Sequence, residues 1–114
     1  MDISVRKLAE VQIIQSRGAV RLGVGVDSFR QAMEDALAAG DTRLVVNFAE
    51  VPMIDSSGIG ILVKAMASAK QRGGAVKLLS PSKFVVQTLK LIGVLKLFEI
   101  FDDENTAVQS FATH

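Results

Sequence analysis

The sequence predicts a single α/β domain over residues 1–114: a mixed, mostly parallel sheet with an N-terminal hairpin and about four helices. Three observations carry that expectation. The first twenty-two residues show the two-residue apolar period of strands, and short β-branched runs then alternate with stretches of helical apolar spacing. A chain of 114 residues can bury one real core and leaves no room for a second. Helices placed between successive later strands make those strands parallel, because a parallel pair needs a crossover connection.

Taken in order, Ile3 and Val5, Val11 and Ile13, then Val20 and Leu22 are spaced by two, with Ile14 blurring the alternation, and read as two short strands. Gly23-Val24-Gly25-Val26 breaks the pattern and offers Asp27 or Ser28 as a helix N-cap. The helix after it carries Phe29, Ala32, Met33, Ala36 and Leu37 on one stripe and stops at Gly40. Leu44-Val45-Val46-Asn47-Phe48 has no polar alternation, as expected of a strand covered on both faces, and is the expected sheet centre. After Pro52 a second helix opens at Ser56 and Ser57, with Ile59, Leu62, Val63 and Met66 as its inner stripe and Gly73-Gly74 as its stop. Val76 to Leu79 reads as a strand. Ser80-Pro81 reads as the N-cap and first-turn pair of a third helix bearing Phe84, Val85, Thr88, Leu89 and Ile92, closed by Gly93. Residues 95–101 read as the last strand, and Asp102-Asp103-Glu104-Asn105 precedes a short helix with Val108 and Phe111. The resulting order is β-β-α-β-α-β-α-β-α.

The inventory of side chains excludes several kinds of chemistry. Thirteen basic and 12 acidic residues leave a net charge of +1, which argues against a nucleic-acid partner. There is no Cys, so thiol nucleophiles, disulfides and thiolate metal sites are out, and the one histidine is the final residue, His114, a poor place for the base of a Ser-His-Asp triad. No cofactor, metal or membrane insertion is expected: the apolar runs fall short of the ~20 residues a span needs. The start, Met1-Asp2-Ile3-Ser4-Val5-Arg6-Lys7, lacks the apolar core of a signal peptide, from which a cytoplasmic location is expected.

Ligand crevices of parallel sheets lie at the carboxyl ends of strands, which singles out the loop at residues 23–28 and the turn at residues 55–60. Asp55-Ser56-Ser57-Gly58 stands where a strand-end loop becomes a helix, so its hydroxyls lie by unpaired N–H groups and the positive end of the helix dipole. A helix cap alone accounts for such a sequence. Gly58 and Gly60 add something, since each lowers helix propensity by ~1 kcal/mol in the first turn and so points to close approach by another backbone or molecule.

Leu44 to Phe48, Met53-Ile54-Asp55-Ser56-Ser57-Gly58-Ile59-Gly60, the Gly73-Gly74 break and the Leu91-Ile92-Gly93-Val94 turn together resemble a STAS domain, most closely of the bacterial anti-sigma factor antagonist type. The resemblance covers nearly the whole chain in one register. It implies a protein-interaction module without enzyme activity. In such proteins the first serine of the motif, here Ser56, is phosphorylated by an anti-sigma factor that is also a serine kinase, while Ser57 is a neighbour and cap. The unphosphorylated form binds that kinase and frees sigma factor, and a serine phosphatase restores it. The implied partner surface comprises Asp55, Ser56, Ser57, Gly58, Ile59 and Gly60 with Arg21 and Val24. Family members commonly carry Gly-Glu-Leu-Asp or similar at the end of the second strand, whereas this chain has Gly18-Ala19-Val20-Arg21. An arginine there can pair with Asp55 or with a phosphate, and changes the charge preferred in a partner. Of the neighbouring Val24 and Val26, one is expected to be buried; the other is either buried too or part of an apolar patch.

Other features take plainer readings. Gly23-Val24-Gly25 lacks the register of a dinucleotide loop, Asp102-Asp103-Glu104 reads as a helix start rather than a metal site, and Lys64, Lys70, Arg72, Lys83, Lys90 and Lys96 read as solvated faces. The alternative function is a constitutive STAS scaffold, for instance a subunit of a lipid-transport ABC system. A hydrolase with Ser56 as nucleophile lacks an internal base.

Overall fold

The computed structural model describes residues 2–112; Met1, Thr113 and His114, with the expectations attached to Met1 and to the histidine, lie outside the described residues. The period-two segments become β1 (Asp2–Leu8) and β2 (Val11–Arg17), an antiparallel hairpin in which Val5 faces Ile14 and Lys7 faces Gln12. Its two-residue turn places Ala9 and Glu10 at φ 52 and 68, the geometry whose twist suits a hairpin although neither residue favours it. β3 (Arg43–Glu50), β4 (Ala75–Leu79) and β5 (Ile100–Phe101) add in sequence, each parallel to its predecessor, giving the order β1-β2-β3-β4-β5.

Three crossover helices, α1 (Val26–Ala38), α2 (Ser56–Gln71) and α3 (Lys83–Ile92), cover one face, and α4 (Glu104–Gln109) covers part of the other. β3 shows why its sequence carries no alternation: Leu44, Val46 and Phe48 point into the larger core under α1 and α2, while Val45 points into the smaller one with Val11, Ile13, Val108 and Phe111. Among the described residues no helix is long and apolar enough to cross a membrane.

Several boundaries differ from expectation, each for a local reason. α1 starts one residue after Gly25, which takes the cap position at φ 78 without a side-chain bond; Asp27 lies inside the first turn and pairs with Arg30 at 2.7 Å instead. α3 is capped by Ser82, whose hydroxyl accepts from the Val85 N–H at 3.1 Å, not by Ser80. Ser80 is still tied to the sheet edge, its N–H donating to Phe101 O at 2.8 Å. The last strand is only Ile100–Phe101, because Leu95–Leu97 forms a 3-10 turn that swings Phe98 into the core. In α2 the buried stripe is Ile59, Leu62, Ala65 and Ala69, with Val63 and Met66 half-buried on its flank. The two alanines let the helix approach the sheet closely, and the Met66 sulfur accepts the Val76 N–H at 3.2 Å. The chain leaves α2 through Gly74, where a Cβ would stand 1.8 Å from the carbonyl oxygen of Thr42.

Leu62→Ala should therefore cost ~2–5 kcal/mol through the cavity it leaves. The exposed Lys64 should tolerate alanine within about 0.5 kcal/mol. Gly74→Ala should also be destabilising. A chemical-denaturation series in which Lys64→Ala costs as much as Leu62→Ala would overturn the facing of α2.

Candidate functional site

Beyond β2 the chain meets the end of β3 once more, through a single parallel bridge between Val20 and Ile54. The Val20 N–H donates to Met53 O at 3.0 Å and the Asp55 N–H to Val20 O at 3.1 Å. The alternation at Val20 and Leu22 thus reports this bridge and not a longer strand. Arg21 and Val24 then exchange backbone hydrogen bonds of 2.9 and 2.8 Å, closing a tight turn with Gly23 at φ 82 in its second central position. The turn holds Leu22 77% exposed and Val24 43% exposed, while Val26, next along, is buried.

Asp55 fastens this turn to α2. One carboxylate oxygen, Oδ1, accepts from the Ser57 N–H at 3.0 Å, the Gly58 N–H at 3.3 Å and the Ser57 hydroxyl; the other, Oδ2, accepts from the Leu22 N–H at 2.9 Å. The Ser57 hydroxyl, first, and the Leu22 N–H hold the Asp55 carboxyl below the ordinary carboxylate range; burial opposes them, and the Gly58 and Ser57 N–H groups add to the lowering. The residue is therefore a fixed anion at neutral pH.

The two serines fare differently. Ser57 is half-buried and bound to Asp55, whereas Ser56, the first residue of α2, is exposed and its hydroxyl makes no hydrogen bond with a described residue. The first-turn N–H groups of Ser57 and Gly58, free in the sequence-based expectation, are committed to Asp55.

The glycines of the motif also separate. A Cβ on Gly58 would lie 2.7 Å from Ile54 Cγ1 and 2.8 Å from Val20 Cγ1, so the close approach that this glycine signals is internal to the fold. Gly60 faces open space on the exposed side of α2. Ile59, expected on the partner surface, is only 2% exposed and belongs with Gly58 to the frame beneath it. The outer surface is made by Asp55, Ser56, Ser57, Gly60, Arg21 and Val24, joined by Leu22, which sequence reasoning did not single out. Its signal was the run Leu22-Gly23, an apolar residue before the glycine of a tight turn. Among the described residues Arg21 has no ion-pair partner, so the pairing with Asp55 that the sequence allowed is not formed. A depression of about 540 Å³ between β1 and α1 contains none of these residues.

The start of α2 thus presents one free hydroxyl beside an apolar turn on an open surface rather than in a cleft. The chain belongs to the STAS domain family, whose family model matches residues 3–107. A Thermotoga maritima protein provisionally named an anti-sigma factor antagonist is 26% identical over 76 residues, 67% of each chain. Among solved structures, the anti-sigma factor antagonist SpoIIAA in its unphosphorylated form superposes with a TM-score of 0.83 at 21% identity, covering 99% of this chain and 98% of that one. An anti-sigma-factor antagonist (STAS) domain protein from Planctomyces limnophilus gives 0.87 at 21% identity over 99% of this chain and 100% of that one. The phosphorylated form of SpoIIAA, from Bacillus, gives 0.75 at 22% identity over 96% and 98%.

Removing the cap by Asp55→Ala should cost ~0.5–2 kcal/mol. Asp55→Asn removes the charge and one of the two acceptor oxygens, and the pH dependence of its effect separates the charge from the lost hydrogen bond. A folded pKa below the unfolded value of about 3.9 means that the charge stabilises the fold fully above that value, and that this contribution is lost as pH falls through the folded pKa. The stability gap between wild type and Asp55→Asn, read by urea denaturation, should therefore narrow between about pH 6 and about pH 3. A gap independent of pH would show that the carboxylate charge is not used.

Proposed function

We propose that this chain is an anti-sigma factor antagonist, a phosphorylation-switched interaction module of the cytoplasm that binds an anti-sigma factor serine kinase while Ser56 is unmodified and thereby releases sigma factor. Family membership and the names of its relatives support the class. The observation that carries the residue is the unequal state of the two serines: Ser57 is fastened to Asp55, and Ser56 offers an exposed, uncommitted hydroxyl to a kinase.

A phosphate on Ser56 adds about −1.5 to −2 charges. It would stand next to an Asp55 held ionised, on a surface whose apolar part, Leu22 and Val24, requires a partner to exclude water. Like charge and desolvation together would expel the partner. The domain itself keeps its fold, because the α2 dipole favours an anion at that end and the core lies beneath Gly58 and Ile59. A serine phosphatase resets the switch. No catalysis is assigned to the chain: Asp55 adjoins Ser56 but is engaged elsewhere, and a carboxylate with a lowered pKa is a poor base.

Incubation with an anti-sigma factor serine kinase and ATP should add one phosphate, on Ser56, as read by mass spectrometry, and Ser56→Ala should block it. Labelling on Ser57 alone, or undiminished labelling of Ser56→Ala, would overturn the residue. In calorimetry against the same kinase, Ser56→Asp should lose ~1–3 kcal/mol of binding, because a carboxylate carries less charge than a phosphate, and the phosphorylated protein should lose more. Unchanged affinity in both would favour the constitutive scaffold.

A further inference from the structure

Arg21 lies one residue beyond the bridge that joins Val20 to Ile54, and one residue before Leu22, whose N–H is bound by Asp55. Paired chains run about 4.8 Å apart, so Arg21 stands level with Asp55 and the chain next to it leads into Ser56. Val20 is fully buried against Ile54 and the Gly58 backbone, whereas Arg21 is exposed, as the alternation of side chains across the bridge requires. Its guanidinium is uncommitted: among the described residues it makes no ion pair. Asp55 accepts from Leu22, Ser57 and Gly58, and Asp27 is held by Arg30.

Most of the N–H donors that would serve an anion at this helix start are already engaged. The N–H groups of Ser57 and Gly58 already serve Asp55, and the Ile59 N–H bonds the Asp55 carbonyl at 3.0 Å. A phosphate carries three strong acceptor oxygens, and a planar guanidinium matches them with paired N–H groups.

We infer that Arg21 is the counter-ion, within the chain, of a phosphate on Ser56. The inference rests on the reading of Ser56 as the phosphorylated serine.

The test installs phosphoserine at position 56 by genetic encoding, so that no kinase is needed, and follows the phosphate by ³¹P NMR titration in wild type, Arg21→Lys and Arg21→Ala. Asp55 adjoins the phosphate in all three, so Arg21 is the charge that differs. The second phosphate pKa, ordinarily about 6, should lie lower in wild type than in Arg21→Ala by about half a unit or more, with Arg21→Lys between them, and the difference should shrink at about 1 M salt. Because Arg21 is exposed, the variants should keep the wild-type amide spectrum outside residues 20–25. Equal phosphate pKa values in wild type and Arg21→Ala would overturn the inference while leaving the kinase reading intact. A chain that no kinase labels would sink the kinase reading and leave the measured pair standing.

Discussion

The carboxylate of Asp55 is the point on which the working end of this domain depends. It caps α2 through Ser57 and Gly58, and it reaches across to the Leu22 N–H, so the β2–α1 and β3–α2 connections, which the sequence separates by about thirty residues, become one surface. The Val20–Ile54 bridge beneath it sets the spacing. Gly58 makes that spacing possible, since any side chain there would meet Ile54 and Val20 at less than van der Waals distance.

These contacts hold the surface in place. Leu22 projects from a turn closed by two backbone hydrogen bonds and anchored by a third to Asp55, so little conformational freedom remains to be lost on docking. The same carboxylate sorts the serines. By engaging the Ser57 hydroxyl it makes that residue structural, and by leaving Ser56 alone it makes that one available. A phosphate at Ser56 therefore changes the surface without drawing on a side chain that the fold requires.

The opposite face of the sheet has a thinner cover, and a buried cation helps to hold it. Lys77, 3% exposed, lies 4.2 Å from the centre of the Phe111 ring, donates to the Ser110 hydroxyl at 2.6 Å and pairs with Glu99 at 2.9 Å. The Ser110 and Phe111 contacts join β4 to the segment after α4, a helix of six residues with only Ala107 and Val108 fully inside, and the Glu99 pair ties β4 to the residue before β5. α4 is itself capped by Asp103, which accepts from the Thr106 N–H and hydroxyl at 2.9 Å each, and is tied to β1 by the Arg6–Glu104 pair.

By itself the sequence determined the kinds of element and their order, because those depend on local chemistry: the apolar periods of β1, β2, α1, α2 and α3, the glycines that stop helices, and a capped helix start within Asp55-Ser56-Ser57, although the cap expected at Ser57 is Asp55. It also determined that β3 is central, since only a strand covered on both faces carries Leu44, Val45 and Val46 in a row. What only the tertiary structure decided depends on what arrives from a distance. Ser80 reads as the cap of α3, but its N–H goes to β5 and the cap falls to Ser82. Val63 reads as part of the inner stripe, but packing against α1 and the sheet turns Ala65 and Ala69 inward and leaves Val63 half-buried. Ile59 looks like part of the motif until it turns inward, and Asp55 could have paired with Arg21 but instead binds the Leu22 and Gly58 amides. Periodicity reports the face of an element, but the partner across the gap decides which side chain on that face is covered and which hydrogen-bonding group is left over.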